Sequence, residues 1–356
     1  MKICIICLIN KGGMVHYASQ LSNSLSRHNQ VSFITSEGFN DYNYFEKSVC
    51  IYKLPFPPKK PLTLAWIRVD VLLNLIKKID PDIIHITITH PLLLPLLICN
   101  DIPIVLTVHD ITKHPGDKDF LGAFRIASTL FIKKSRRIFV HGIRLKEALI
   151  GLGIGQQKIT VIPHGDYSFF ADMKIGLCPE SDTILFFGRI REYKGINYLI
   201  EAFEEVSGCF PSIKLVIAGE GPISDLRINN KNINLINKYI SDYEVADFFI
   251  KSKLVVLPYI EGSQSGVIPI AYAFKKPVVA TSVGSIKEAV IDGVTGYIVP
   301  PGDSKSLAKA IITLLSDDNL RTEMGEQGFI WMEKELSWNR IAEKTMIEYQ
   351  QVISNI

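Results

Sequence analysis

The segment FGRIREYKGINYLIEAF, residues 187–203, decides how this chain is read. It closes the apolar run Ile184–Phe187, turns at Gly188, places cations at Arg189 and Lys194, and opens at Gly195 into a helical pattern. An apolar strand that ends in a glycine turn and feeds a helix is one β-α unit, and such turns are where parallel sheets hold ligands. Gly188 lets the chain bend sharply and approach a ligand closely. Arg189 can grip two phosphate oxygens at once, while Lys194 adds a compact charge at the helix N-terminus. A structural salt bridge is the competing explanation for the same pair.

Downstream the rhythm repeats. Strand Lys214–Ala218 runs into Gly219-Glu220-Gly221-Pro222, where a base or phosphate could rest. Strand Leu254–Leu257 is followed by Glu261-Gly262-Ser263-Gln264-Ser265-Gly266-Val267, whose small residues expose backbone N–H groups at the start of a helix. Any one of these could be a plain tight turn; three in one domain argue for a nucleoside diphosphate. Ile233–Ile236, Val278–Ala280 and Gly296–Val299 complete the strands, with helices at Gly195–Val206, Asp242–Lys251, Gly266–Phe274 and Ser285–Ile291. The chain ends in helical pattern alone, over Ser304–Leu315, Asn319–Lys334 and Asn339–Val352.

Upstream the predicted strands are Lys2–Leu8, Gln30–Thr35, Val49–Leu54, Ile83–Thr87, Ile104–Val108, Arg137–Val140 and Lys158–Ile162. Several are continuous apolar runs, as parallel strands covered on both faces require. Helical patterns at Val15–Arg27, Leu64–Ile79 and Phe120–Lys134 separate them, so this half also reads as a doubly wound sheet. Pro163–Pro179 breaks the alternation and reads as the linker.

At 356 residues, 47% hydrophobic and 21% charged, the chain suits two soluble globular domains. Apolar stretches such as Leu92–Cys99 are too short to cross a bilayer, and the N-terminus lacks a signal-peptide cleavage pattern. The six scattered cysteines read as buried structural residues in a reducing compartment, the cytoplasm by default. Charge is uneven: residues 1–165 hold 20 Lys and Arg against 11 Asp and Glu, and residues 166–356 hold 19 against 25. Either the first half faces an anionic partner, such as a membrane surface or lipid phosphate, or its lysines merely coat solvated helices. Candidate membrane contacts are Lys133, Lys134, Arg136 and Arg137 with Arg125 upstream, and Lys59-Lys60. No module for nucleic acid appears. Asp80-Pro81-Asp82 reads as turn chemistry rather than a metal motif.

Together these features resemble the retaining glycosyltransferases of family 4, over essentially the whole chain. The resemblance rests on residues 187–203, on Gly219–Pro222, and on KPVVATSVGSIKEAVIDGVTGYIVPPGD at 276–303. Gly12-Gly13, Val108-His109-Asp110, Ile162-Pro163-His164-Gly165 and Leu336-Ser337-Trp338 before a final helix add to it. It implies an α/β GT-B fold, with two doubly wound Rossmann-like domains facing across a cleft. Residues 1–168 would bind the acceptor, residues 169–335 the nucleotide sugar, and residues 336–356 would form a helix crossing back to the first domain.

The resemblance further implies transfer of a hexose, with retention, from a UDP- or GDP-linked donor to a glycan or lipid-linked acceptor in cell-surface polysaccharide biosynthesis. The enzyme would be cytoplasmic, peripheral at the inner membrane face, with no metal and no cofactor beyond the nucleotide sugar. Arg189 and Lys194 match the basic pair that neutralises the leaving diphosphate, and His109 matches a histidine near the transferred sugar. Asp110 could orient that ring. Implied donor contacts are Gly12, Gly13, Gly188, Gly219, Gly221, Ser263, Gln264, Ser265, Gly266 and Val267; His16 and Asp110 fall on the acceptor side. His85 reads as core, and His141 and His164 as supports. One departure stands out. Where the family often carries Glu-x7-Glu, this chain has Ser263 and Ala271.

No Ser-His-Asp set or carboxylate pair supports a hydrolytic covalent mechanism, so the resemblance implies front-face attack by the acceptor. Three alternatives stay open: a phosphorylase of the same fold, a sugar-nucleotide epimerase, and a non-catalytic nucleotide-sugar-binding protein.

Overall fold

The computed structural model describes residues 1–40, 42–55, 66–99, 101–111, 122–173, 180–262 and 264–355. They form two compact units. The first is built from residues up to Gly165 together with the C-terminal helix Trp338–Ser354, and the second from residues 166–337.

The first unit holds seven strands: β1 (Lys2–Ile6), β2 (Gln30–Ser36), β3 (Val49–Leu54), β4 (Ile83–Ile86), β5 (Ile104–Val108), β6 (Arg137–Val140) and β7 (Ile159–Val161). All pair in parallel, in the order β3-β2-β1-β4-β5-β6-β7. The second holds β8 (Thr183–Phe187), β9 (Lys214–Gly219), β10 (Ile233–Asn237), β11 (Leu254–Leu257), β12 (Val278–Thr281) and β13 (Gly296–Val299). Again every pairing is parallel, in the order β10-β9-β8-β11-β12-β13. Strand order reverses at β1/β4 in one sheet and at β8/β11 in the other. Connections leaving the C-terminal ends of those strands diverge to opposite faces, which opens a crevice where ligands of such sheets bind.

The apolar runs explain the strands. Ile3–Ile6 and Leu254–Leu257 are fully buried, as covered parallel strands should be. Each such side chain contributes roughly 1.5–3 kcal/mol by leaving water. Helix Ile196–Cys209 buries Ile196, Leu199, Ile200, Phe203 and Val206, one face at helical spacing. Helix Asp242–Lys251 starts on a capping box in which Ser241 and Glu244 satisfy each other's N-terminal groups. The terminal helix buries Ile341, Ala342, Thr345, Tyr349 and Val352 and packs along helix Gly13–Ser26. Its Glu348 lies 2.9 Å from Arg137, so the chain's last helix is part of the first unit's core.

Among the elements that carried no expectation are helix Ile143–Gly151, the 3-10 segment Pro91–Leu97 and the short helix Phe169–Asp172, which falls within the expected linker. In the second, Pro91 and Pro95 fall in an apolar run with no helical period, and the His90 ring caps it by accepting from the Leu92 N–H. The cysteine expectation needs correction. Cys4 and Cys7 are buried, but Cys50, Cys99 and Cys209 are exposed thiols, and Cys178 lies outside the described residues. Cys50 is on β3, an edge strand with an open face. Asp80 and Asp82 both engage Lys2, through its ammonium at 2.9 Å and its backbone N–H at 2.7 Å. Among the described residues, no helix is long and apolar enough to cross a membrane.

Candidate functional site

Three connections leave the C-terminal ends of the adjacent strands β9, β8 and β11 in the second unit, and they are locked together. The Gly188 N–H donates to Ala218 O at 2.9 Å, and the Ile190 N–H to Glu220 O at 3.0 Å. Gly219 sits at φ +152°, and a Cβ there would overlap the Gly188 carbonyl oxygen. A Cβ on Gly221 would overlap the Ile190 carbonyl, and the Gly221 N–H donates to Asn237 Oδ1 at 3.0 Å. On the other flank Gly195, left-handed at φ +64°, brings its backbone against the Pro258 carbonyl. The Ile260 N–H donates to Tyr193 O at 2.8 Å. The Arg189–Gly195 segment is therefore clamped from both neighbouring strands.

That clamp sets the two cations. Arg189 Nη2 donates to the Tyr193 hydroxyl at 3.1 Å. Lys194 Nζ lies 3.5 Å above the ring centroid of Tyr259 and 5.0 Å from that of Tyr193. The Tyr259 hydroxyl is 3.1 Å from Ser265 Oγ, which accepts from the Val267 N–H at 3.3 Å. Burial pushes the Tyr259 hydroxyl up to about 12, so the ring stays neutral and its electron-rich face remains available to a cation. The structure thus brings Arg189, Lys194, Ser265 and Val267 into one connected cluster. The two tyrosines that connect them were not picked out from the sequence, although a tyrosine one residue beyond a strand-end proline is a visible signal.

The remaining second-unit candidates fall around this cluster. Gly188 faces Val267, and Gly266 packs against the Tyr167 hydroxyl. Gln264 is half-buried and Glu261 exposed, while Ser263 lies outside the described residues. Ala271 is fully buried in helix Val267–Ala273, where it serves core packing.

In the first unit, Gly12 precedes helix Gly13–Ser26 at φ +82°, and its carbonyl accepts from the Val15 and His16 N–H groups. His16 is buried edge-on against Tyr44, ring centroids 5.1 Å apart. The C-terminal ends of β4 to β7 bring Thr87, His109, His141 and His164 together. His109 Nε2 lies 3.1 Å from Thr87 O, its Nδ1 lies 3.0 Å from His141 Nε2, and His141 Nδ1 lies 2.9 Å from Ile162 O. The Tyr17 ring meets all three imidazoles, at 5.1, 5.0 and 5.5 Å between centroids. The ligating atoms of His109, His141 and His164 lie within 4.8 Å of one another.

Two expectations change here. Asp110 does not orient His109: both ring nitrogens are taken by Thr87 and His141, and the Asp110 carboxylate accepts from the Ile111 N–H. His141 and His164 are more than separate supports, since they complete a cluster with His109. Burial and the neighbouring imidazoles push His109 and His164 well below the usual histidine range, and burial holds His141 at about 4. His85 is fully buried between Thr107 Oγ1 at 2.7 Å and Tyr349 Oη at 2.6 Å, held at about 3 by burial. Of the basic stretch, Lys133, Lys134 and Arg136 are exposed, Arg137 is committed to Glu348, and Lys59 and Lys60 lie outside the described residues.

Comparison with known proteins shows which family the chain resembles. The model of Glycosyltransferase Family 4 matches residues 11–165, and the model of Glycosyl transferases group 1 matches residues 181–317. A phosphatidyl-myo-inositol mannosyltransferase of Mycobacterium leprae is 30% identical over 260 residues, covering 71% of this chain and 68% of that protein. The capsular polysaccharide biosynthesis glycosyltransferase CapM of Staphylococcus aureus is 30% identical over 182 residues, 46% of this chain and 47% of its own length. Among solved structures, sucrose-phosphate synthase from Thermosynechococcus elongatus superposes with a TM-score of 0.78 at 19% identity, covering 99% of both chains. HepE from Anabaena, in complex with UDP and glucose, gives 0.74 at 18% identity over 98% of this chain and 99% of its own.

Proposed function

The chain belongs to glycosyltransferase family 4 and is a glycosyltransferase of GT-B fold, and from that premise we propose that it moves a hexose from a nucleoside-diphosphate sugar, with retention and without a metal ion. The acceptor in this reading is a glycan or a lipid-linked sugar of a cell-surface polymer or glycolipid. Relatives named for a phosphatidylinositol acceptor and for capsular polysaccharide support that class.

One observation carries the proposal: Arg189 and Lys194 are clamped at the C-terminal end of β8, at the point where strand order reverses. Breaking the bond between sugar and phosphate develops negative charge on the leaving oxygens. Two fixed cations at that place stabilise it, and they need no reorganisation when the bond breaks. Ser265 and the backbone around Gly266 and Val267 would receive further donor oxygens. With Ala271 in the core and Glu261 exposed, the sugar hydroxyls meet neutral groups such as Gln264, so donor choice rests on hydrogen-bond shape rather than charge.

The test is a panel of UDP-, GDP-, dTDP- and ADP-sugars, each scored by thermal shift and by slow donor hydrolysis with and without EDTA. Stabilisation by one nucleotide and turnover that survives EDTA are expected. No response to any nucleotide sinks the reading, and turnover that requires inorganic phosphate in place of nucleotide reassigns the chain as a phosphorylase.

A further inference from the structure

Two backbone carbonyls decide which nitrogens of the first unit's imidazole cluster carry hydrogen. The Thr87 and Ile162 oxygens can only accept, so His109 donates from Nε2 across 3.1 Å and His141 from Nδ1 across 2.9 Å. A neutral imidazole has one N–H, which leaves His109 Nδ1 and His141 Nε2 as lone pairs facing each other at 3.0 Å. Moving either N–H into that gap would strip a carbonyl of its donor. Two lone pairs held this close call for an electropositive centre between them, and the third imidazole shows its kind. His164 brings its ring to 4.8 Å from that of His141 and 6.0 Å from that of His109. One ligating atom from each of the three lies within 4.8 Å of the others.

We propose that His109, His141 and His164 form a binding site for a divalent transition-metal ion of the kind that prefers imidazole, with zinc as its representative. Metal-bound histidines almost always donate their second ring nitrogen to a carbonyl or carboxylate, which fixes tautomer and ring angle. His109 and His141 already do so. The first two rings follow the adjacent strands β5 and β6, and the third comes just past β7, so the sheet presets their spacing. The Tyr17 ring packs against all three, and Trp338 backs Tyr17 at 5.6 Å between centroids. His109 and His164 are only partly buried, which leaves the ion a way in.

The donor set determines which ion fits. Among the described residues no thiol or carboxylate joins the three nitrogens. Imidazole suits Zn2+, Ni2+ and Cu2+, whereas Mg2+ and Ca2+ take oxygen. Zinc at about 2.0–2.1 Å from each nitrogen sets them about 3.3–3.4 Å apart in a tetrahedral shell. The 3.0 Å contact then opens slightly, and the widest separation closes by less than about 1.5 Å through side-chain rotation. Three protein ligands leave the fourth position to water or a small ligand. The ion takes no part in the transfer proposed above, where Arg189 and Lys194 handle the charge of the leaving diphosphate.

The experiment uses the full chain, stripped with chelator and returned to chelator-free buffer. It is titrated with zinc against a competing indicator, and separately with Co2+ followed by absorption. One zinc per chain is expected, undisturbed by excess Mg2+ or Ca2+. His141→Asn and His164→Asn should each weaken binding by about 100-fold or more, since loss of a mere supporting partner already costs about 10–100-fold. The exposed thiols Cys50, Cys99 and Cys209 are the competing place for zinc, and replacing all three by Ser should leave the site intact. Bound Co2+ should show the visible bands of a low-coordinate nitrogen shell without thiolate charge transfer. That reading needs no variant, so it stands if the histidine variants do not fold. Absence of stoichiometric zinc, zinc lost with the three thiols, unchanged affinity in both histidine variants, or a thiolate signature in the cobalt protein overturns the proposal.

Discussion

The ammonium of Lys194 rests 3.5 Å above the ring centroid of Tyr259, whose hydroxyl is tied to Ser265. A flexible lysine gains a fixed position only if something holds its charge without neutralising it, and a buried neutral ring does so. The ring should therefore matter more than its hydroxyl. Tyr259→Leu is expected to lower kcat/KM by about 2- to 30-fold, the worth of a cation–π contact of roughly 0.5–2 kcal/mol. Tyr259→Phe should lose less. Steady-state kinetics on both variants, with thermal melts as folding controls, decide it; equal losses would assign the effect to the hydroxyl.

Arg189 is the second cation, and its planar fork is what lets it bind two phosphate oxygens while donating to Tyr193. Arg189→Ala and Lys194→Ala should each reduce kcat by about 10²–10³, the scale of a lost oxyanion donor. Arg189→Lys should rescue little, because an ammonium cannot reproduce the fork. Near-normal turnover in both alanine variants would refute the assigned role.

The glycine clamp yields a stability prediction. Gly219→Ala combines a left-handed backbone with overlap of the Gly188 carbonyl, and Gly221→Ala meets the Ile190 carbonyl. Neither obstacle is a side chain that can swing away. Each substitution should cost more than about 2 kcal/mol, within the range for strained backbone and overpacking. Gly293→Ala is a useful contrast: it shares a positive φ of +73° but meets nothing within 4 Å. Denaturant midpoints for the three variants test this, and equal losses in G219A and G293A would show that backbone conformation, not the clamp, sets the cost.

The fold was legible because its signal is local. Most of the strands come from short apolar runs, and burial on both faces, as in β1, β4, β5, β11 and β12, needs no knowledge of which strand pairs with which. Strand-end glycines and Arg189 were legible for the same reason, since a turn and its cation sit within a few residues. What sequence could not supply was convergence. His109, His141 and His164 lie at the ends of separate strands, and only the order β5-β6-β7 makes them neighbours. Asp110 looked like the partner of His109 because it is next in sequence, but the His109 ring nitrogens meet Thr87 and His141, which are far away in sequence. Cys50 looked buried because the residue type usually is, but β3 is an edge.

Buried imidazoles set the acid limit of stability. His85 is held at about 3, His141 and His90 at about 4, and His109 and His164 well below the ordinary histidine value of 6.5. The folded chain therefore binds fewer protons than the unfolded chain once the pH drops below about 6.5. Stability is full above that value and is lost as the pH falls toward 4, at about 1.4 kcal/mol per pH unit for each proton difference. Urea midpoints at pH 7.5 and pH 5 should show a clear fall, and His85→Asn, compared with its own pH 7.5 value, should show a shallower one. A flat profile from pH 7.5 to 5 would mean that these rings titrate normally in the fold.

The last prediction concerns the basic first half of the chain. Helix Gly122–Lys134 ends in the exposed Lys133 and Lys134, with Arg136 exposed just beyond and Ile126 59% exposed on the same helix. A basic helix end beside an exposed aliphatic residue fits the headgroup region of an anionic bilayer, and each cation near such a surface is worth about 1 kcal/mol. The native protein should sediment with vesicles of phosphatidylglycerol and phosphatidylcholine, not with phosphatidylcholine alone, and should be released by salt. Replacing Lys133, Lys134 and Arg136 together by Ala should weaken that binding by about 100-fold, from three contacts of about 1 kcal/mol each. Arg137→Ala should behave differently: it leaves Glu348 without its 2.9 Å partner in the packed interface with the terminal helix, so it should lower stability and leave vesicle affinity unchanged. Equal binding to neutral and anionic vesicles would exclude an electrostatic attachment and return the charge imbalance to ordinary solvated lysines.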